Sequence, residues 1–451
     1  MSTLLQATAE RAIHYLEGLE NRSVAPTPAA LARLAELDLP LPNDPADPEK
    51  VIALLDEIGS PATLASTGRR FFGFVIGGSL PAALAASWLA DTWDQNGGLL
   101  AISPIAAALE QIALRWMVEA LGLPPGTGAG FVTGATMANF TSLAAARHSV
   151  LANVGWDVES DGLFGAPPIT VIVGGEGHST LFKALGLIGF GRKRVISVPV
   201  DDQGRMRVDA LPKISGPTII CTQAGNVNTG AFDPIQQICE VAHPAEAWVH
   251  VDGAFGLWAA AAPQRAHLTA GIDQADSWAT DGHKWLNVPY DSGLAFVRDP
   301  KVLHDAMTVT AAYLPQSDQR EPSQFTPELS RKARGIEIWA ALKSLGRSGL
   351  ADLIERNCRY ATRFAEGLSA AGYQILNDVE LNQVLVSFGD AETTLHVISE
   401  IQKDGTCWCG GTVWQGHTAM RISVSSWATT EADVEQSLEA MLRIASREKA
   451  H

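Results

Sequence analysis

Five short apolar runs in the middle of the sequence are each followed by residues able to bind, ionise or react. FVTG (Phe131–Gly134) leads into Ala135 and Thr136, and ITVIVG (Ile169–Gly174) into Glu176 and His178. TIICTQ leads into Asn226, AWVHV into Asp252 and Ala254, and SWAT into Asp281, His283 and Lys284. A Gly134-Ala135-Thr136 turn opening a helix offers backbone N–H groups and a hydroxyl to a phosphate. A lysine amine condenses with an aldehyde, an aspartate pairs with a basic ring nitrogen, and a histidine can lie flat over a ring. A ligand carrying phosphate, aldehyde and ring nitrogen would use all of these groups together. Pyridoxal 5′-phosphate is such a ligand, with Lys284 as its covalent anchor and Asp252 keeping its nitrogen protonated.

The runs that place these residues are short, continuously apolar and spaced by helical stretches such as the one near Thr180–Leu187. RVISVPV and GLAFVR extend the series to about Arg298. That texture predicts an α/β domain with a mainly parallel sheet covered on both faces. Ligands of open α/β sheets sit beyond the carboxyl ends of the strands, where the residues above fall. Before this domain, Leu5, Ala9, Ala12, Ile13 and Leu16 lie at helical spacing, and prolines interrupt Ser23–Pro28 and Leu39–Lys50. Residues 1–65 read as a helical arm that must cover its apolar stripe against the main body or a second subunit. After Arg334 the pattern is helical through Ile336–Leu345 and Ile354–Leu368, then mixes QVLVSF and AMRISVS with a last helix, Glu431–Ile444. The expected organisation is an arm (1–65), a large α/β domain (66–334) and a small α+β domain (335–451).

Composition narrows the classes. The chain has 451 residues, 46% hydrophobic and 18% charged, which excludes a mainly disordered protein. A net charge of −16 opposes binding to nucleic acid or anionic membrane surfaces. Five cysteines do not form a disulfide framework; Cys407 and Cys409 are one residue too close for a C-x-x-C zinc pair, and no metal is expected. The first residues lack a basic segment followed by an uninterrupted apolar core, and no run is long enough to span a bilayer, so a cytoplasmic protein is expected. Gly174-Gly175-Glu176-Gly177 lacks the spacing of a dinucleotide fingerprint.

Six segments in order resemble one family. They are RRFFGFVIGG (Arg69–Gly78), SP…LE (Ser103–Glu110), TGATMANFTSLAAAR (Thr133–Arg147), GHSTLFKALGLIGFG (Gly177–Gly191), HVDGAFG (His250–Gly256) and DGHKWLNVPYDSG (Asp281–Gly293). The sequence is similar over most of its length to the group II pyridoxal-phosphate-dependent amino acid decarboxylases, the family of aromatic amino acid and glutamate decarboxylases. The resemblance implies a fold type I large domain, aspartate aminotransferase-like, and a homodimer with its sites at the subunit boundary. It implies that Lys284 forms the Schiff base, His283, Ala135 and Thr136 meet phosphate, Asp252 holds the ring nitrogen, Ala254 packs below the ring and His178 stacks on it. It likens Arg421 to an arginine that meets a substrate carboxylate, although a plain ion pair remains open. The substrate pocket would draw on Phe71–Gly78, including Phe74. That lining leans toward an aromatic or otherwise apolar amino acid.

Three departures from the family follow. Asp281-Gly282 replaces an Asn-Pro, adding a negative charge near the phosphate end. Asn226 stands where relatives often carry a threonine near the phenolic oxygen. Relatives place a protonating tyrosine on a mobile loop, whereas DQREPSQFTPELSRKAR has none; Tyr313 before it and Tyr290 after Lys284 are the candidates to replace it. A loop around Leu314–Phe325 is expected to exclude water. The expected reaction is decarboxylation of an L-amino acid to an amine. An aldehyde-forming oxidative variant is the alternative, with aminotransfer behind it.

Overall fold

A computed structural model describes residues 1–309 and 319–448. Among these, seven short strands form one sheet: β1 (Gly128–Val132), β2 (Thr170–Gly174), β3 (Ile196–Val198), β4 (Thr218–Gln223), β5 (Trp248–Asp252), β6 (Ser277–Asp281) and β7 (Gly293–Val297). Their spatial order is β1-β7-β6-β5-β4-β2-β3. Strands β1, β4, β5, β6 and β7 are buried along their whole length, which is why these runs are continuously apolar rather than alternating. Each of the expected apolar runs is a strand of this sheet.

One strand breaks the parallel pattern. The connection between β6 and β7, residues 282–292, is shorter than the dozen or so residues that a parallel crossover needs. The chain therefore turns back, and β7 pairs antiparallel with both β6 and β1. Since β1 and β6 both oppose β7, they run the same way, and the carboxyl ends of β1, β2, β4, β5 and β6 share one edge. The turn-back carries Lys284 to that edge.

The chain divides into two compact units. One comprises residues 77–362 and 377–384 and holds the seven-stranded sheet; the other comprises residues 1–76, 363–376 and 385–451. In the second unit the N-terminal segment joins the C-terminal part through side-chain packing. Phe71 stacks on Trp408 with ring centroids 5.1 Å apart, and Phe72 meets Phe364 edge-on at 5.1 Å. Phe72 N–H donates to Trp408 O, and Ser423 N–H to Phe72 O. The grouping therefore differs from a separate 1–65 arm and a separate 335–451 domain. The long Gly335–Ala370 helix is interrupted at Gly346, whose φ of 60° suits glycine, and this matches the two helical stretches expected there. No helix among the described residues is long and apolar enough to cross a membrane.

Candidate active site

The site is built where β1 and β6 end on either side of β7. Gly293, the first residue of β7, pairs with both Val132 and Asp281. A Cβ at 293 would collide with the backbone of Gly134, so the absent side chain lets the turn after β1 close against β6. That turn starts the Ala135–Ala152 helix, whose first N–H groups have no partner within the helix. Ala135 N–H donates to Asp281 Oδ1 at 2.6 Å. Lys284 Nζ lies 3.1 Å from Asp281 Oδ2, and His283 Nε2 lies 3.5 Å from Asp281 Oδ1. Ser292 N–H donates to His283 Nδ1 at 3.1 Å, which assigns the ring proton to Nε2, facing the carboxylate. Burial holds the His283 pKa below its usual value, favouring the neutral ring. Behind Lys284, a side chain on Gly77 would strike the lysine carbonyl, so the segment is backed by bare backbone.

Asp252 ends β5, the strand next to β6, and is 5% exposed. It accepts Asn139 Nδ2–H at 3.1 Å and Ala254 N–H at 3.2 Å. Ala254 O in turn accepts Asp281 N–H at 2.9 Å, tying the two strand ends together. His178 lies beyond the end of β2 and caps the Ser179–Leu187 helix, its Nδ1 3.3 Å from Thr180 N and 2.7 Å from Thr180 Oγ1. Thr136 is half-buried in the first turn of the helix after β1. Asn226 is buried, and its carboxamide oxygen accepts Asn228 N–H at 2.8 Å and Thr229 N–H at 3.3 Å. The side-chain oxygen of Asn226 thus folds its own loop.

The remaining expected residues fall elsewhere. Arg421 lies on a strand spanning His417–Ser423 and Phe74 precedes Gly77 in the chain; both belong to the other compact unit. Burial lowers the Arg421 pKa. Phe74 is 61% exposed, whereas Phe71, Phe72 and Val75 are buried, the two rings against Trp408 and Phe364. Tyr313 lies outside the described residues. Tyr290 stacks on His283 at a centroid distance of 4.2 Å.

The donor set fits pyridoxal 5′-phosphate. The Asp281 carboxylate already stands as an anion on the helix-start N–H, which shows that the turn accepts a negatively charged oxygen. An amine lies against the same carboxylate, and a second buried acid stands at the adjoining strand end. Residues 28–389 match the family described as the pyridoxal-dependent decarboxylase conserved domain. The chain belongs to that family. It is a pyridoxal-phosphate-dependent amino acid decarboxylase.

Tryptophan decarboxylase 1 of rice (Oryza sativa subsp. japonica) is 28% identical over 409 residues, covering 82% of this chain and 79% of the relative. The 4-hydroxyphenylacetaldehyde synthase of Rhodiola rosea is 25% identical over 462 residues, covering 96% and 93%. The crystal structure of Oryza sativa TDC with PLP and tryptamine superposes with a TM-score of 0.90 at 23% identity, covering 99% of this chain and 97% of that one. This likeness shows the fold.

Of the expected Leu314–Phe325 loop, residues 319–325 are described, and they pack together with the residues that follow as far as Arg334. Glu110, 2% exposed, bridges Arg320 at 2.9 Å and Arg331 at 2.6 Å. Glu321 accepts Leu100 N–H at 2.7 Å, and Ser323 N–H donates to Gly98 O at 2.9 Å. Phe325 is buried in the main core beneath Arg320, whose guanidinium carbon is 4.3 Å from the ring centroid. The described part of the expected water-excluding loop is thus docked: Arg320 meets the buried Glu110, Glu321 accepts a backbone N–H, and Phe325 enters the core. Reading strand ends also missed His250, Ser277 and the role of Asn139. The only sequence signal was a histidine two residues before Asp252 on the same strand face; Asn139 is one of several polar residues in its helix.

Proposed function

We propose that the decarboxylase removes the α-carboxylate of an aromatic or otherwise apolar L-amino acid as carbon dioxide and releases the amine, with Lys284 as cofactor anchor. The observation that carries this reading is that one amine and one helix-start N–H meet the same carboxylate, one strand away from Asp252. When bound, pyridoxal phosphate supplies an electron sink for the bond that breaks. Lys284 would supply the amine that holds the cofactor aldehyde. The Gly134–Thr136 turn and the neutral His283 Nε2–H would hold the phosphate. Asp252, fixed by its two N–H donors, would keep a proton on the ring nitrogen. His178 would cover the ring face, Ala254 would pack below it, and Arg421 would meet the substrate carboxylate. The aromatic preference rests on the exposed Phe74 ring and on the name of the rice relative.

We further propose a cytoplasmic homodimer. The Ser2–Gly18 helix buries none of its own residues and exposes Leu5, Ile13 and Leu16, and the Pro48–Ala62 helix exposes Val51, Leu54 and Leu55. A second copy would cover this apolar face. Five buried free cysteines suit a reducing compartment.

A second reading, oxidative aldehyde formation, is favoured by one observation: residues 319–334 contain no tyrosine and are docked. Incubation with pyridoxal phosphate and each proteinogenic amino acid, under oxygen and under nitrogen, separates the two. Carbon dioxide with equimolar amine supports decarboxylation; aldehyde and peroxide appearing only with oxygen support the second reading. Lys284→Ala is expected to bring carbon dioxide release to background, and retained turnover would remove Lys284 from the proposed role.

A further inference from the structure

A chain of buried side chains leads away from Asp252. Asn139 Nδ2 is 3.1 Å from Asp252 Oδ2, and Asn139 Oδ1 is 2.8 Å from His250 Nε2. His250 Nδ1 is 2.9 Å from Ser277 Oγ, which is 2.8 Å from Trp248 Nε1. Asn139, His250 and Ser277 are each fully buried, and Trp248 is 8% exposed.

Both ends fix the direction of the protons. An indole nitrogen only donates, so Ser277 accepts from Trp248 and has its own hydrogen left for His250 Nδ1. A carboxylate only accepts, so Asn139 must turn its amide nitrogen to Asp252 and its oxygen to His250 Nε2. The Asn139 end requires hydrogen on Nε2 of the histidine, and the Ser277 end, whose hydroxyl hydrogen is free for Nδ1, is compatible with the same tautomer. Burial pushes the His250 pKa down to about 3, which keeps that ring neutral. Every bond in the series then donates toward Asp252, and hydrogen bonds aligned in this way polarise one another.

We propose that Trp248, Ser277, His250 and Asn139 form a one-way hydrogen-bond relay that positions Asp252 and stabilises its negative charge, so that the proton of the acid–ring pair stays on the cofactor nitrogen. The four are positioning residues acting through Asp252, and the proposal rests on the reading of Asp252 as the nitrogen's partner. Hydrogen bonds to a carboxylate favour its charged form. If the relay is cut, Asp252 becomes more basic and draws the proton from the ring. A neutral ring withdraws fewer electrons from the lysine-bound nitrogen, which then titrates at higher pH.

The test is a pH titration of the visible absorption band of the cofactor bound to Lys284 in the holoenzyme, together with cofactor retention on dialysis. Ser277→Ala removes a single oxygen and is expected to move the titration upward by on the order of half a pH unit and to loosen the cofactor. Ser277→Thr, which keeps the hydroxyl, restores both. His250→Phe gives the same shift, and His250→Gln, which keeps a donor toward Asn139, reverses it. Asp252→Asn gives a larger shift in the same direction. If Ser277→Ala titrates like the unaltered enzyme while only its thermal stability falls, the relay is packing and the proposal fails. If Asp252→Asn also leaves the band unmoved, the assignment of Asp252 itself fails instead.

Discussion

Two carboxylates stand at neighbouring strand ends, Asp252 on β5 and Asp281 on β6, and both are almost fully buried. Their surroundings differ in kind. The hydrogen bonds described for Asp252 come from neutral donors, a carboxamide and a backbone amide, with a buried relay behind them. Asp281 is held by a helix-start N–H, a lysine amine and an imidazole. Those are the groups that a phosphate and an aldehyde require. If the cofactor binds as proposed, the first acid keeps its present donors, while the second would share its donors with the cofactor. A carboxylate alone therefore says little about role, and the identity of its donors says much more.

Deleting each acid in turn breaks the comparison most directly. Asp252→Ala is expected to lower carbon dioxide release on the order of a hundredfold or more, because it removes the charge that holds the ring proton. Asp281→Ala is expected to leave turnover of the saturated enzyme far closer to normal and to act mainly on the cofactor concentration needed. Equal losses of saturated turnover in the two variants would erase the distinction. Gly293→Ala sharpens it from the backbone side. Its Cβ has no room beside Gly134, so the turn after β1 must shift, with a stability loss of roughly 1–3 kcal/mol in urea titration. The Asp281 end of the site should suffer, while a spectroscopic signature belonging to Asp252 persists.

The seven strands were legible because burial on both faces leaves an apolar run that periodicity rules detect. The placement of Lys284 and Asp252 at one edge of the sheet was legible because the one follows and the other ends an apolar strand. The single antiparallel strand followed from a loop length that the pattern of apolar runs does not weigh. The role of Asp281 was legible only as an oddity, since its partners come from a turn far away in sequence and from the residues just after it. The relay was not legible, because Asn139, His250 and Ser277 are joined by tertiary packing across a helix and two strands. The docking of residues 319–334 was hidden for the same reason: Glu110 sits more than two hundred residues from its two arginines.

His250 also makes the comparison visible in solution stability. Its native pKa of about 3 lies below the ordinary value of about 6.5, so the unfolded chain takes a proton that the native one refuses. The associated stability is fully present above about pH 6.5 and is lost as pH falls, by roughly 1.4 kcal/mol per pH unit. His250→Gln has no such titration, so the stability difference between the two proteins should narrow or reverse between pH 6.5 and 4 in denaturant titrations. A difference that stays constant across that range would mean that the native ring takes the proton after all, and the neutral tautomer on which the Asp252 side depends would go with it.

The smallest effect concerns Asp281 alone. Asp281→Asn keeps an oxygen able to accept Ala135 N–H but removes the charge. A phosphate entering the turn then meets no like charge, and the expected result is tighter binding of pyridoxal phosphate, on the order of tenfold at low salt. The gain should shrink as salt is added, since part of it is long-range repulsion. Unphosphorylated pyridoxal supplies the control: it shares the aldehyde and ring but brings no anion to the turn, so its affinity should change far less. The visible band measured against concentration of each compound reads both affinities. If pyridoxal and its phosphate gain equally, the effect comes from freeing the Lys284 amine rather than from the turn. If the phosphate binds more weakly, Asp281 is a ligand of the cofactor, and the two strand-end acids are more alike than their present partners imply.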